Sequence, residues 1–454
     1  MISPARAAAL KVLRALSAGN ADLPTSLAAT RTELADERDR ALAAEIATGV
    51  QRWRAALDHV IVVFSKREIA RLDPEVTDIL RLSAYQLLHL TRVPASAVVD
   101  DAVNLTRRAG KKSAAGFVNA VLRAVSRGRN ALPLPLRPAD AADRDAVLAY
   151  LSITLSHPRW LVERWLDRFG LDATEAWLRF DNAAAPLTLR ANRLKLSAPE
   201  LTDRLRVAGV RVRPARFAPD ALIVEDGHPL RGPEAEAGLF LVQDEASQLI
   251  AMLAGEHPGA LVLDTCAAPG GKTTALAAAM ENRGRLVACD VRPRRVELLR
   301  NTVAASGASN VSLVRANLLR SLPFRASFDC VLVDAPCSGL GTLRRDPDIR
   351  WRRLEEDLPA LAAAQLTMLQ HAAEAVAPGG RLIYATCSSE PEENEGVAGA
   401  FLTTTSGFAD LHAAQAAPRL PAALIDARGH LRTEPHRDGL EAFFGAVFVR
   451  AGHV

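Results

Sequence analysis

The spacing of hydrophobic positions changes character along the chain. From residue 3 to 128 it is helical: residues 74–91 set Val76, Ile79, Leu80, Leu82, Leu87, Leu88 and Leu90 among polar positions, as in a helix with one face on a core. Asp73 before Pro74 reads as an N-cap followed by proline at the first helical position. Further helices are expected at 3–18, 36–52, 54–66, 95–109 and 113–128, joined by short connections into a bundle that makes residues 1–129 one domain. Residues 130–142 hold Pro133, Pro135 and Pro138 without periodicity and read as a linker. Residues 143–255 open with two helices whose Trp160, Trp165 and Trp177 are core candidates. A strand at 186–192, a helix at 199–208 and strands at 210–215 and 221–224 then predict a small α+β subdomain. Residues 256–454 alternate: strands at 260–264, 285–290, 311–315, 328–334, 381–386 and 444–449, helices at 272–280, 294–306, 357–376 and 395–404. That order predicts a doubly wound, mostly parallel sheet.

Composition narrows the class. A chain of 454 residues with 49% hydrophobic and 24% charged residues fits a soluble protein of several domains. No apolar run reaches the roughly 18 residues of a membrane span, and the first residues lack a secretory layout, so the cytoplasm is expected. The five cysteines all lie in the C-terminal half, none in a Cys-x-x-Cys pair, which speaks against a zinc site and a disulfide framework. Charge is uneven. Residues 1–129 carry 20 Lys+Arg against 13 Asp+Glu, a balance of +7, while the remainder is near neutral. Such a module faces nucleic acid or is simply a solvated basic surface. Arg107, Arg108, Lys111 and Lys112 cluster at a helix junction suited to phosphate, and eight basic residues against two acidic ones lie between Arg190 and Arg216.

The stretch 261–274 is the densest in candidate chemistry. Leu261-Val262-Leu263-Asp264 ends in a carboxylate, Cys266-Ala267-Ala268-Pro269-Gly270-Gly271 breaks the strand, and Lys272 opens a helix. A strand, a tight glycine loop and a helix N-terminus hold ligands against backbone N–H groups. An ordinary strand-to-helix turn is the plain alternative. A phosphate loop needs glycine five residues before Gly271, where this chain has Cys266, and no Gly-x-Gly-x-x-Gly is present. A methyl-donor site remains, and the other strand ends favour it. Asp290 closes the second strand, where a carboxylate accepts ribose hydroxyls; Asn317 follows the third, Asp334-Ala335-Pro336-Cys337 the fourth, and Thr386-Cys387-Ser388 the fifth.

The segments at 264–272, 334–339 (Asp-Ala-Pro-Cys-Ser-Gly) and 385–388 (Ala-Thr-Cys-Ser) resemble the signatures of the RsmB-type (Sun) family of 16S rRNA (cytosine-5)-methyltransferases. The helical N-terminal third resembles a NusB-like RNA-binding domain, and residues 344–351 and 438–444 also resemble family segments. The resemblance implies a multidomain fold: an all-α NusB-like bundle, a small α+β subdomain and an α/β Rossmann-like methyltransferase domain. It implies S-adenosyl-L-methionine as cofactor, held by the loop 266–272 with Asp290, Asn317 and Asp334, and 16S rRNA as partner of a monomer, with Arg344 and Arg345 among its contacts. Two positions depart from the family pattern. Asn317 stands where an aspartate is usual, and Asp346 where a histidine is common.

Cytosine C5 is a poor nucleophile. A thiolate adding to C6 pushes electron density onto C5, which then takes a methyl group, and loss of the C5 proton lets the sulfur leave. Asp334 at the base edge would favour protonated N3, with the base flipped out of its stack. Spacing alone leaves two candidate nucleophiles: Pro336-Cys337 matches the Pro-Cys dipeptide of DNA cytosine methyltransferases, whereas the family resemblance implies attack by Cys387 and product release by Cys337. Lys272 is the candidate cation for lowering a thiol pKa. A nucleotide triphosphatase using Lys272 and a non-catalytic RNA-binding factor are the competing functions.

Overall fold

The structure is a computed structural model that describes residues 2–140, 142–255 and 257–452. It divides into two compact units, one comprising Met1–Ala184 with Leu343–Glu355, the other Ala185–Thr342 with Glu356–Val454.

In the first unit the expected bundle helices run over Pro4–Ser17, Glu37–Arg52, Arg54–Ser65, Pro74–His89, Ala95–Arg108 and Ala115–Gly128. A further helix, Leu23–Arg31, escaped the hydrophobic pattern; Asp22 caps it by accepting the Thr25 N–H at 2.8 Å. Asp73 caps Pro74–His89 as expected, accepting the Glu75 N–H at 3.0 Å. That helix is not one-faced. Residues 76–87 are all buried, polar ones included. Its charge is tolerated because the Arg81 guanidinium donates to both carboxylate oxygens of Asp58, at 2.6 and 2.7 Å. Gly49 is needed opposite, since a Cβ there would lie 1.9 Å from the Tyr85 ring. The proline-rich stretch after residue 130 is not free of the bundle: Leu132 and Leu134 pack on its core.

Trp165 and Trp177 are buried with ring centroids 4.6 Å apart, as a core reading requires, while Trp160 is half-buried. Both buried rings belong to the helix Arg159–Asn182, which kinks at Gly170, whose φ of 77° suits glycine. The segment Leu343–Glu355 is anchored in this unit by Arg350, which is fully buried. Its guanidinium donates to the Ser156 carbonyl and the Asn182 side-chain oxygen, each at 3.0 Å. Burial holds its pKa down at about 9. Trp351 Nε1 donates to the Gln51 carbonyl at 2.6 Å.

The second unit holds two sheets. In the smaller, β1 (Thr188–Ala191), β2 (Arg211–Pro214), β3 (Ala221–Asp226) and β4 (Phe240–Val242) pair antiparallel in the order β2-β3-β1-β4. Ser197 and Glu200 form a capping box at the start of its helix, Ala198–Val207. The larger sheet comprises β5 (Leu261–Asp264), β6 (Arg285–Asp290), β7 (Val311–Arg315), β8 (Phe328–Asp334), β9 (Val376–Thr386), β10 (Phe408–Leu411), β11 (Leu431–Thr433) and β12 (Phe443–Arg450). Its order is β10-β12-β9-β8-β5-β6-β7, with β11 paired to β12. Strands β5 to β9 are mutually parallel, whereas β12 pairs antiparallel with β9, and β10 and β11 each pair antiparallel with β12, so the sheet is mixed. β11, with three residues, is too short for its alternation to register in the sequence.

Because a guanidinium enclosed by carbonyls leaves unpaired acceptors when removed, Arg350→Ala should destabilise the first unit by about 3 kcal/mol or more. Thermal melts of wild type and variant measure this, and an unchanged midpoint would show that the buried guanidinium contributes nothing.

Candidate functional site

Parallel pairing sets the carboxyl ends of β5, β6, β7, β8 and β9 along one edge, the edge where ligands bind in such sheets. Asp264 ends β5 fully buried, and its Oδ2 accepts the Thr273 hydroxyl at 2.7 Å. Burial pushes its carboxyl up to about 7, with Asp334 and Asp290 adding to the rise and Thr273 opposing it. Its Oδ1 is buried with no hydrogen-bond partner among the described residues. Gly270, with φ of 110°, turns the loop into the helix Gly271–Ala279. Asp290, at the end of β6, accepts the Ala268 N–H at 3.3 Å and the Arg292 N–H at 3.3 Å. Asn317 is exposed past β7, and its side-chain oxygen accepts the Leu319 N–H at 3.0 Å, closing a local turn.

The loops after β8 and β9 meet. Asp334 pairs with Ala385 in the β8–β9 register, and the Sγ atoms of Cys337 and Cys387 lie 3.2 Å apart. The Cys387 N–H also donates to the Cys337 sulfur at 3.3 Å. Gly341 joins the loops: its N–H donates to the Cys387 carbonyl at 3.0 Å, and its carbonyl accepts the Ala442 N–H at 2.9 Å. A Cβ at 341 would sit 2.0 Å from the Ala442 oxygen, so only glycine fits. Lys272 donates to Asp334 Oδ2 at 2.7 Å, with its ammonium 5.6 Å from the centre of the Phe443 ring. Burial disfavours its charge, but Asp334 outweighs burial, and Cys387 and Asp244 add to that, so its pKa lies above the usual lysine value.

The Cys337 thiol is held well above its ordinary pKa by its bond to Cys387, then by burial and the charges of Cys387 and Glu393. Cys289 and Cys330 are buried within strands, with burial pushing both up to about 12, and burial also raises Cys266.

Two family patterns and one domain pattern match: 16S rRNA methyltransferase RsmB/F at residues 251–449, the NusB family at 3–127, and the RsmF/B-like ferredoxin-like domain at 157–231. A "probable ribosomal RNA small subunit methyltransferase B" of Bacillus subtilis (strain 168) is 33% identical over 415 residues, covering 91% of this chain and 90% of that protein. The chain belongs to the RsmB/F family of 16S rRNA methyltransferases. Another member, ribosomal RNA small subunit methyltransferase B of Pseudomonas syringae pv. tomato, is 33% identical and covers 98% of this chain and 96% of its own. The crystal structure of PH0851 superposes with a TM-score of 0.81 at 26% identity over 99% of each chain. A methyltransferase homologue from Pyrococcus horikoshii gives 0.57 at 28% identity, over 67% of this chain and 99% of that one.

For an RsmB/F family member the glycine-loop edge fits S-adenosylmethionine. The orphaned Asp264 oxygen is an acceptor for a ligand donor, and Asp290 stands at the end of the neighbouring strand. The basic residues singled out for RNA contact scatter by comparison. Arg107, Arg108 and Lys112 are exposed, and Lys111 pairs with Asp73 at 2.5 Å. Arg344 lies 4.3 Å from the centre of the Phe180 ring and donates to the Ala184 carbonyl at 2.6 Å. Arg345 is half-buried. Sequence reasoning missed Gly341, Gln365 and Glu393; Arg190, counted in the basic stretch suited to phosphate, is instead buried, its guanidinium donating to Thr274 Oγ1 at 2.6 Å in the helix after the glycine loop. The acidic run at 390–395 was a signal, since Glu390 and Glu393 are fully buried rather than solvated.

Asp264 has a folded-state pKa of about 7 against an ordinary 3.8, so its stability contribution is fully present below the lower value and lost as pH rises through the upper. Wild type should lose up to about 4 kcal/mol across that window, and Asp264→Asn should abolish this slope. Unfolding midpoints measured against pH decide it; identical slopes would mean that Asp264 ionises normally.

Proposed function

We propose that the chain transfers a methyl group from S-adenosylmethionine to C5 of a cytosine in small-subunit ribosomal RNA, with Cys387 as nucleophile. The observation that carries this reading is the 3.2 Å approach of the Cys337 and Cys387 sulfurs beside the Lys272–Asp334 pair. The bound cofactor supplies an electrophilic methyl on a sulfonium; Asp290, Asn317, Asp334 and the loop from Cys266 to Lys272, with Ala267, Ala268, Pro269, Gly270 and Gly271, are the residues that would hold it.

The chain's own groups then divide the work. Cys387, with Lys272 as the nearby cation, adds as thiolate to C6, so a C6–S bond forms and electron density moves to C5. Asp334 faces the base edge, favouring a protonated N3 that stabilises the adduct. Once C5 carries the methyl group, its proton leaves to a base, the C5–C6 double bond re-forms and the C6–S bond breaks. Cys337, in contact with the attacking sulfur, serves this release step. Arg107, Arg108, Lys111 and Lys112 in the basic helical unit are candidate phosphate contacts.

A nucleotide triphosphatase would need Lys272 for phosphate, and its commitment to Asp334 counts against that reading. Cys387→Ala should cut methyl transfer to 16S rRNA by more than about a hundredfold, and Cys337→Ala should accumulate a covalent protein–RNA species visible as a denaturing-gel shift. Full activity in Cys387→Ala would remove the nucleophile from this scheme.

A further inference from the structure

We propose that Glu393 is a positioning residue that ties the Cys337 and Cys387 loops together and so sets the contact between their two sulfurs. This rests on the cysteine roles above and adds to them the group that fixes the spacing of their loops.

Glu393 is fully buried, yet both its oxygens are occupied. Oε1 accepts the Ser338 N–H and the Gln365 side-chain amide, each at 2.8 Å, and Oε2 accepts the Ser388 hydroxyl at 2.5 Å. Ser338 and Ser388 each follow one of the cysteines directly, so a single carboxylate holds both loops. The clamp is cross-braced. The two serine hydroxyls lie 3.1 Å apart, Gln365 also donates to the Pro336 carbonyl at 3.0 Å, and the Tyr384 hydroxyl donates to the Gln365 oxygen at 3.0 Å.

The three donors to Glu393 are all neutral. Neutral donors stabilise a carboxylate without cancelling its charge, and that charge acts on Cys337. The bond to Cys387, burial and the Glu393 charge raise the Cys337 pKa, and the Cys387 N–H opposes them; Lys272 interacts with Asp334 and Cys387. With the sulfurs 3.2 Å apart, a displacement of either loop alters the contact on which attack and release depend.

Glu393→Gln preserves the shape and removes the charge. In the full-length protein, iodoacetamide labelling of each cysteine is followed against pH by mass spectrometry, beside kcat, KM and the melting temperature. The Cys337 labelling midpoint should fall in Glu393→Gln, and kcat should fall at least about tenfold at unchanged KM for RNA and cofactor. A Cys337 labelling profile identical to wild type, or an unchanged kcat, overturns the proposal. Should Glu393→Gln fail to fold, Ser388→Ala, which deletes one strut, is read for kcat in the same way. If Cys387→Ala retains methyl transfer, the cysteine assignment fails, while the labelling profile still decides the role of Glu393.

Discussion

Parallel pairing of β8 with β9 is the constraint on which the site depends. Placing Asp334 opposite Ala385 fixes where both strands end, and the next residues of each chain segment must turn within the same small volume. Two cysteines fifty positions apart in sequence are thereby brought into sulfur contact. A one-residue slip would reverse every side chain on β9, sending Tyr384 out of its buried place and dissolving the contact. Register is secured from outside as well, because β12 pairs antiparallel along β9 from Arg381 to Thr386.

Electrostatics adds direction to that geometry. Lys272 at the start of the glycine-loop helix reaches Asp334 at the end of β8, linking the loop that would hold a methyl donor to the strand that would face a base. A buried ammonium is costly by itself, and a carboxylate at 2.7 Å offsets the cost. The pair also fixes the two residues against each other, which matters more for chemistry than its contribution to stability. Arg190 acts alike from the small sheet, fixing the same helix through Thr274.

Much of this was legible in the sequence, and the reasons are specific. Long periodic segments such as Pro74–His89 and the β5, β6 and β8 runs announce themselves because burial selects for spacing. The polar strand ends were visible because each carboxylate or cysteine interrupts an apolar run. Short edge strands such as β11, with three residues, have too few positions for alternation to show. Buried charge was the systematic blind spot. Arg81, Arg350 and Glu393 look like surface residues until their partners are known, and those partners lie 23, 168 or 194, and 28 or 55 positions away. Arg350 sits in a stretch rich in arginine, yet its guanidinium is enclosed by carbonyls inside the first unit.

Where polar burial is concentrated also separates structure from chemistry within the second unit. Residues 262–263 of β5, 330–333 of β8 and 382–385 of β9 are buried and apolar, whereas Asp264, Ser338, Thr386, Ser388, Glu393 and Asn394 are buried at the strand ends or in the segments that follow them. Packing alone does not call for this, since well-fitted apolar side chains fill the same volume without a desolvation cost. What apolar side chains cannot do is hold two loops at a set spacing by directional bonds, as Glu393 does through Ser338, Gln365 and Ser388.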